Sequence, residues 1–301
     1  MKPRAQRQLE WPTLALLGGC YLTWALATTW IAAVWLPGGI VICVLAVAMH
    51  SSLCHEAIHG HPFANPLVNE ALVFPALALC IPYQRFRDTH LAHHQDAILT
   101  DPYDDPESNY WDPAVWSGLT QWQQKVLRFN NTLAGRLLIG PMVGQVAFMA
   151  SDWRDIRAGK PGVLAGWLWH IPAVALVLIW LWIVAIMPIW AYVLSAYCGL
   201  SVLKIRTFLE HQAHERARGR TVIVEDRGIL AFLFLNNNLH VVHHMHPRTP
   251  WYRLPRLYWA NTARYLGCNG GYRYASYADV FRRYFLRAKD PVPHPLWPWD
   301  R

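Results

Sequence analysis

The chain has 301 residues, 54% of them hydrophobic and 15% charged, with 17 tryptophans, a balance that excludes an ordinary soluble globular domain and points to a membrane protein. Lys and Arg outnumber Asp and Glu by 27 to 19, giving a formal charge of +8. No basic run is interleaved with a nucleic-acid motif, so anionic lipid headgroups or an acidic redox partner suit that charge better. The cysteines (Cys20, Cys43, Cys54, Cys80, Cys198, Cys268) are scattered with no CxxC, which argues against a disulfide framework and against a built-in iron–sulfur site.

In chain order, MKPRAQRQLEW sets positive charge ahead of an apolar run. That run is too long for a signal peptide and has no A-x-A-like end, so Thr13 to Leu36 reads as a retained first membrane helix. Pro37, Gly38 and Gly39 mark a tight turn. A second span, Ile40 to His59, would deliver His55 and His59 to its far end, on the side of the basic N-terminus. Leu67 to Ile81 is apolar but short and interrupted by Pro75, so it is expected to be re-entrant or interfacial. Asp96 to Arg136 is polar, aromatic and rich in Asp-Pro turns, and Leu137 to Ser151 is a second short interfacial piece. Leu164 to Met187 forms the third span. Pro188 opens a fourth, Ile189 to Leu203, expected to continue as helix through Glu210 and His211 to His214. Lys204 and Arg206 mark the return to the basic side, where they can snorkel. From Trp251 onward the chain is rich in Arg, Tyr and Trp and reads as a cap against the interface.

The expectation is a single all-α polytopic membrane domain over residues 1–301. It has four transmembrane helices in two hairpins, two interfacial or re-entrant segments and a histidine-bearing cap. The positive-inside rule puts the termini and the histidine clusters in the cytoplasm, in a bacterial inner membrane.

Three histidine clusters carry the chemistry. NNNLHVVHHMHP holds His240, His243 and His244 at i, i+3 and i+4; THLAHH repeats the spacing with His90, His93 and His94; HEAIHG supplies His55 and His59. Helical spacing gathers such imidazoles on one face. Neutral imidazole binds first-row transition metals, and eight ligands exceed what one tetrahedral ion can use. Two metals of higher coordination number accommodate them, and iron suits a set with imidazoles and no thiolate. A carboxylate-bridged di-iron site would need Glu-x-x-His pairs, which are absent. His50, His61, His170 and His294 lie outside the clusters and read as interfacial or hydrogen-bonded. Asp101, Asp104, Asp105 and Glu107 read first as caps and solvated turn carboxylates, some of which could hold the free nitrogen of a ligand histidine.

His55-Glu56-Ala57-Ile58-His59 is also a literal HExxH, so a membrane zinc metalloprotease with Glu56 as general base is a competing class. It gives no reason for the other six histidines. A bis-histidine haem protein is a third reading, disfavoured because its ligands would sit on facing spans at membrane depth.

With its three boxes in order from His55 to about Pro255, the chain resembles the membrane fatty acid desaturase and hydroxylase superfamily, which includes the carotenoid ketolases. The resemblance implies that His55, His59, His90, His93, His94, His240, His243 and His244 ligate two non-haem irons. A further histidine comes from the end of the fourth helix: RTFLEHQAH offers His211, favoured here, with His214 as competitor. It also implies an asparagine near the third box, Asn237 or Asn238, that completes the coordination or else caps a helix, and His246 outside the ligand set. The expected activity is O2-dependent oxidation of an unactivated C–H bond, foremost desaturation of a lipid acyl chain, with hydroxylation or carotenoid ketolation as alternatives on the same scaffold. The three residues between His55 and His59 look more like lipid desaturases and carotenoid ketolases than the acyl-CoA type. Arg85, Arg87 and Arg206 are candidates to bind an anionic head group or donor, or to snorkel. Two electrons per turnover imply a separate donor, such as a ferredoxin with its reductase. Glu56 and Glu210, each beside a proposed ligand, have ambiguous roles.

Overall fold

A computed structural model describes residues 9–297; the basic run ahead of Leu9 lies outside the described residues. Helix α1 (Trp11–Leu26) runs through a π-helical turn (Ala27–Ile31) to Val34. Extended Trp35 (φ −156) then breaks the chain, and α2 (Leu36–Ile58) follows at once. The break therefore precedes Pro37 and does not coincide with the Pro-Gly-Gly run, because Pro37 in the first turn of α2 lacks only an N–H that would have had no helical partner. The glycines serve packing: a Cβ on Gly39 would stand 2.9 Å from the Ala27 carbonyl oxygen. The π turn exposes the Thr28 carbonyl, which accepts the N–H groups of Ile186 (3.0 Å) and Met187 (2.9 Å).

Three helices are long and apolar enough to cross a membrane: residues Trp11–Val34, Leu36–Ile58 and α7 (Val163–Ile183). At about 1.5 Å per residue each matches a hydrocarbon core of roughly 30 Å. Helix α8 (Ile189–Thr207) is not among them; its serines, tyrosines, Lys204 and Arg206 dilute its apolar character. It is nevertheless the main packing partner of α2. Gly199 makes that closeness possible, since a Cβ there would meet Val47 Cγ1 at 2.7 Å.

Between α2 and α7 the chain is a series of shorter helices joined by turns. Only Pro66–Leu72 of the first short apolar stretch is helical (α3, capped by Asn65). The turns after it hang on α7, with Ala76 N–H donating to the Ala173 carbonyl and His170 donating through Nε2 to the Leu79 carbonyl. Helix α4 (Tyr83–His93) carries the second box. After α5 (Leu133–Leu138), α6 (Gly140–Arg157) runs longer than its apolar core suggested. Met142, Val146, Met149 and Trp153 make an exposed apolar stripe along it.

Helix α8 ends at Thr207, and the expected continuation to His214 does not form. Backbone pairing takes over there: Gln212 N–H donates to Arg220, Val222 N–H to Glu210, and His211 bridges Thr221. Strand β1 (Ile223–Val224) pairs in parallel with β2 (Arg273–Tyr274), Ile223 opposite Arg273. Val241 N–H bonds the Val222 carbonyl and so fixes α9 (His240–Met245), the third box, beside this ladder. All boxes thus meet where α2 and α8 end.

Because Gly199 faces Val47 so closely, Gly199→Val should destabilise the protein by about 1–3 kcal/mol through overpacking. Thermal unfolding in detergent measures it, and an unchanged midpoint contradicts this packing.

Candidate metal centre

The structure brings the nine proposed histidines together as two adjoining groups: His55, His59, His90, His94 and His243 in one, and His93, His211, His240 and His244 in the other, each group's ligand atoms lying within 4.8 Å of one another. The boxes interleave. Helix α4 gives His90 and His94 to the five-membered group and His93 to the four-membered one; α9 does the reverse, giving His243 to the first and His240 with His244 to the second. The i, i+4 pair of each box points to one group and the i+3 residue to the other, so one helical face serves two sites.

The ring nitrogens are aimed by outer partners. His93 donates through Nδ1 to Asp105 Oδ1 (2.7 Å), His90 through Nδ1 to Glu107 Oε1 (2.9 Å), and His240 through Nδ1 to Asn237 Oδ1 (3.0 Å). A carboxylate or an amide oxygen can only accept, so in the neutral ring the proton sits on Nδ1 and the Nε2 lone pair faces inward. Those Nε2 atoms face one another: His59–His90 3.1 Å, His90–His94 3.0 Å and His94–His243 3.1 Å in one group, His93–His211 2.8 Å and His211–His240 3.2 Å in the other. A ring whose proton is held on Nδ1 can only accept at Nε2, and a cation between such nitrogens satisfies several lone pairs at once. Ligands at right angles around a metal with bonds of about 2.1 Å would stand roughly 3.0 Å apart, which the contacts match. The residues present therefore fit two imidazole-ligated metal ions.

The electrostatics agree. Burial, reinforced by the neighbouring rings, holds His211, His240 and His243 well below the usual imidazole range, in the neutral form that binds metal. His93 is the exception: burial would lower it, but Glu107 and Asp105 outweigh that and raise it to about 9. Carboxylates that stabilise a positive ring there will stabilise a dication in its place.

Other expected residues fall differently. His211 joins the centre, while His214 packs on Gly219 and bonds the backbone of Arg216. Asn237 holds a ligand ring instead of completing the ligand set, and Asn238 ties down the Val224 carbonyl (2.7 Å). His246 lies edge-on to Tyr265. Asp101 caps the turn at Tyr103 as expected of a turn carboxylate, whereas Asp105 and Glu107 belong to the centre. Glu56 accepts the Trp251 N–H (3.4 Å), and Glu210 pairs with Arg206 (2.9 Å). Arg85 does not snorkel: it is buried in a two-pronged pair with Asp152 at 3.0 Å, and Arg87 pairs with Glu70 at 3.1 Å. His50, His61, His170 and His294 each find a partner outside the centre, namely Tyr21, Glu10, the Leu79 carbonyl and Thr100.

A cavity of about 520 Å³ adjoins the His90 side of the centre, where Phe86, Thr89 and Glu107 form its wall. Its far part is lined by Val73, Phe74, Leu77, Trp169, Ala173 and Leu200.

Comparison with known proteins agrees with this geometry. A beta-carotene ketolase of Paracoccus sp. (strain PC1) is 24% identical over 231 residues, 74% of each chain. A second, from Paracoccus sp. (strain N81106 / MBIC 01143), is 25% identical over 226 residues, 73% of this chain and 74% of its own length. The model of the fatty acid desaturase family matches residues 29–276, a stretch that takes in every histidine of both groups, and the chain belongs to that family.

Proposed function

We propose that this chain is an O2-dependent membrane oxidase that holds two non-haem irons and introduces a double bond into a lipid acyl chain. Membership of the family establishes the coarser statement, a membrane oxidoreductase of the desaturase and hydroxylase type with a histidine centre able to bind metal. The observation that carries the finer reading is the division of the imidazoles into two adjoining groups beside a largely apolar-walled cavity. Bound there, the irons would activate dioxygen for removal of hydrogen from an unactivated C–H bond.

The protein's own residues supply the rest. Asp105, Glu107 and Asn237 keep the protons of His93, His90 and His240 on Nδ1, so that the inward nitrogens stay free. Glu107 also lines the cavity, so the same carboxylate meets both the ligand shell and the substrate space. Burial of six of the nine histidines, His55, His59, His90, His93, His240 and His243, leaves little room for water. The zinc protease reading loses ground because five histidines around one position exceed a tetrahedral zinc site, and because Glu56 is engaged by Trp251. Ketolation is a second reading, favoured by what the Paracoccus relatives are named for. Helix α8 would be the fourth span, with the centre and the termini on the cytoplasmic side of a bacterial inner membrane. Electrons would come from a separate donor, such as a ferredoxin with its reductase.

Metal analysis of the purified protein should give two irons per chain; one zinc and no iron overturns the proposal. Lipid extracts from cells expressing the chain decide the reaction: products lighter by two hydrogens mean desaturation, and a new carbonyl on a carotenoid means ketolation. His243→Ala should lose iron and activity while helical circular dichroism persists, and full iron retention would refute its assignment. Asp105→Asn, which keeps the shape but loses the charge beside His93, should weaken iron binding by about 10-fold to 100-fold. Unchanged affinity in a chelator competition would show that Asp105 does not tune the site.

A further inference from the structure

The wall of the cavity holds four cationic and four carboxylate side chains, and two of the cations have no carboxylate in direct contact. Its carboxylates have partners of their own: Glu70 pairs with Arg87, Asp152 with Arg85 and Asp155 with Lys160, while Glu107 accepts a hydrogen bond from His90. Of its four cationic side chains, Arg85 is paired by Asp152 and Arg206 by Glu210. Arg136 and Lys204 are left over.

Arg136 is only 5% exposed, and its hydrogen bonds go to neutral acceptors, the Asn130 carbonyl (2.9 Å) and Asn109 Oδ1 (2.6 Å). Among the described residues, no carboxylate lies within 4.0 Å of either Arg136 or Lys204. The two stand together: a Cβ on Gly140 would touch Lys204 Cγ at 3.5 Å and Arg136 Cδ at 3.6 Å, and a Cβ on Gly144 would touch Lys204 Nζ at 3.2 Å. Two like charges side by side in a buried space are costly unless an anion joins them. The glycines of α6 let the two side chains lie against that helix. The remainder of the cavity wall is mainly apolar.

We propose that Arg136 and Lys204 form an anion subsite within the cavity, which takes the carboxylate or phosphate end of a single-chain amphiphile whose tail fills the apolar part. This rests on the oxidase reading only in treating the cavity as the place where substrate enters. It distinguishes the chain's ligand from a neutral hydrocarbon, which would leave both cations unpaired.

The test is displacement of a fluorescent fatty-acid probe from the full-length, iron-loaded protein in a non-ionic detergent, with hexadecanoate, hexadecyl phosphate and hexadecanol as competitors of matched length. At least one of the two anions should displace the probe at about tenfold lower concentration than hexadecanol, and their order identifies carboxylate or phosphate as the preferred end. Lys204→Met should abolish the preference without changing the hexadecanol value, and Lys204→Arg should keep it. Gly144→Asp, which sets a carboxylate beside Lys204 Nζ on a different helix, should also abolish it, so the result does not depend on the folding of one variant. Equal displacement by all three competitors, or a preference that survives both Lys204→Met and Gly144→Asp, overturns the subsite. That failure, in a protein that still binds two irons and oxidises an apolar chain, leaves the proposed function standing; absence of iron sinks the proposed function and leaves the binding preference measurable.

Discussion

Imidazole Nε2 atoms facing one another at about hydrogen-bond distance set the main physical constraint on this fold. In the group His59, His90, His94 and His243, Glu107 holds the His90 proton on Nδ1, so the inward His90 nitrogen can only accept. A cation at its middle would satisfy the inward nitrogens together, and the rest of the chain holds the rings in place for it. The tight packing of α2 on α8, the ladder of β1 with β2 and the bond from Val241 to Val222 all serve that end.

Some of the holding is done under local strain. Thr100 has φ 70, and Leu235 and Asn236 have φ 52 and 55, just ahead of the third box. A β-branched residue in the left-handed region costs on the order of 1–3 kcal/mol. At Thr100 the cost is offset by its N–H, which donates to Asp105 Oδ2 (2.8 Å) and thereby fixes the carboxylate that aims His93. Strain in the loop and order in the ligand shell are two sides of one contact.

The periodic parts of this arrangement were legible in the sequence. Box spacing predicts which histidines share a helix, and all nine proposed residues do converge; the three long apolar helices follow from run length. What was not legible depends on contacts that have no period. Asp105 and Glu107 sit in an Asp-Pro-rich turn whose composition suits solvated caps equally well, and only the folded loop shows them bonded to rings on α4. The helix expected to reach His214 stops at Thr207 because residues 210–212 find backbone partners at 220–222, a pairing invisible to a helical template. The Pro-Gly-Gly run reads as a turn, yet its glycines are there for the approach of Ala27. Lys204 reads as an interfacial lysine, and that no carboxylate pairs with it directly emerges only when every wall carboxylate has been assigned.

The interleaving of the two boxes has a thermodynamic corollary. Each of the short helices α4 and α9 lends residues to both groups, so neither can be tilted, shifted or melted for one site alone. An ion entering the five-membered group would immobilise the scaffold on which the four-membered group depends, and would lower the ordering entropy left for a second ion. Filling of both groups would then be cooperative, a half-loaded protein would be poorly populated, and reactivity that needs both positions would be protected from a state in which one acts without the other.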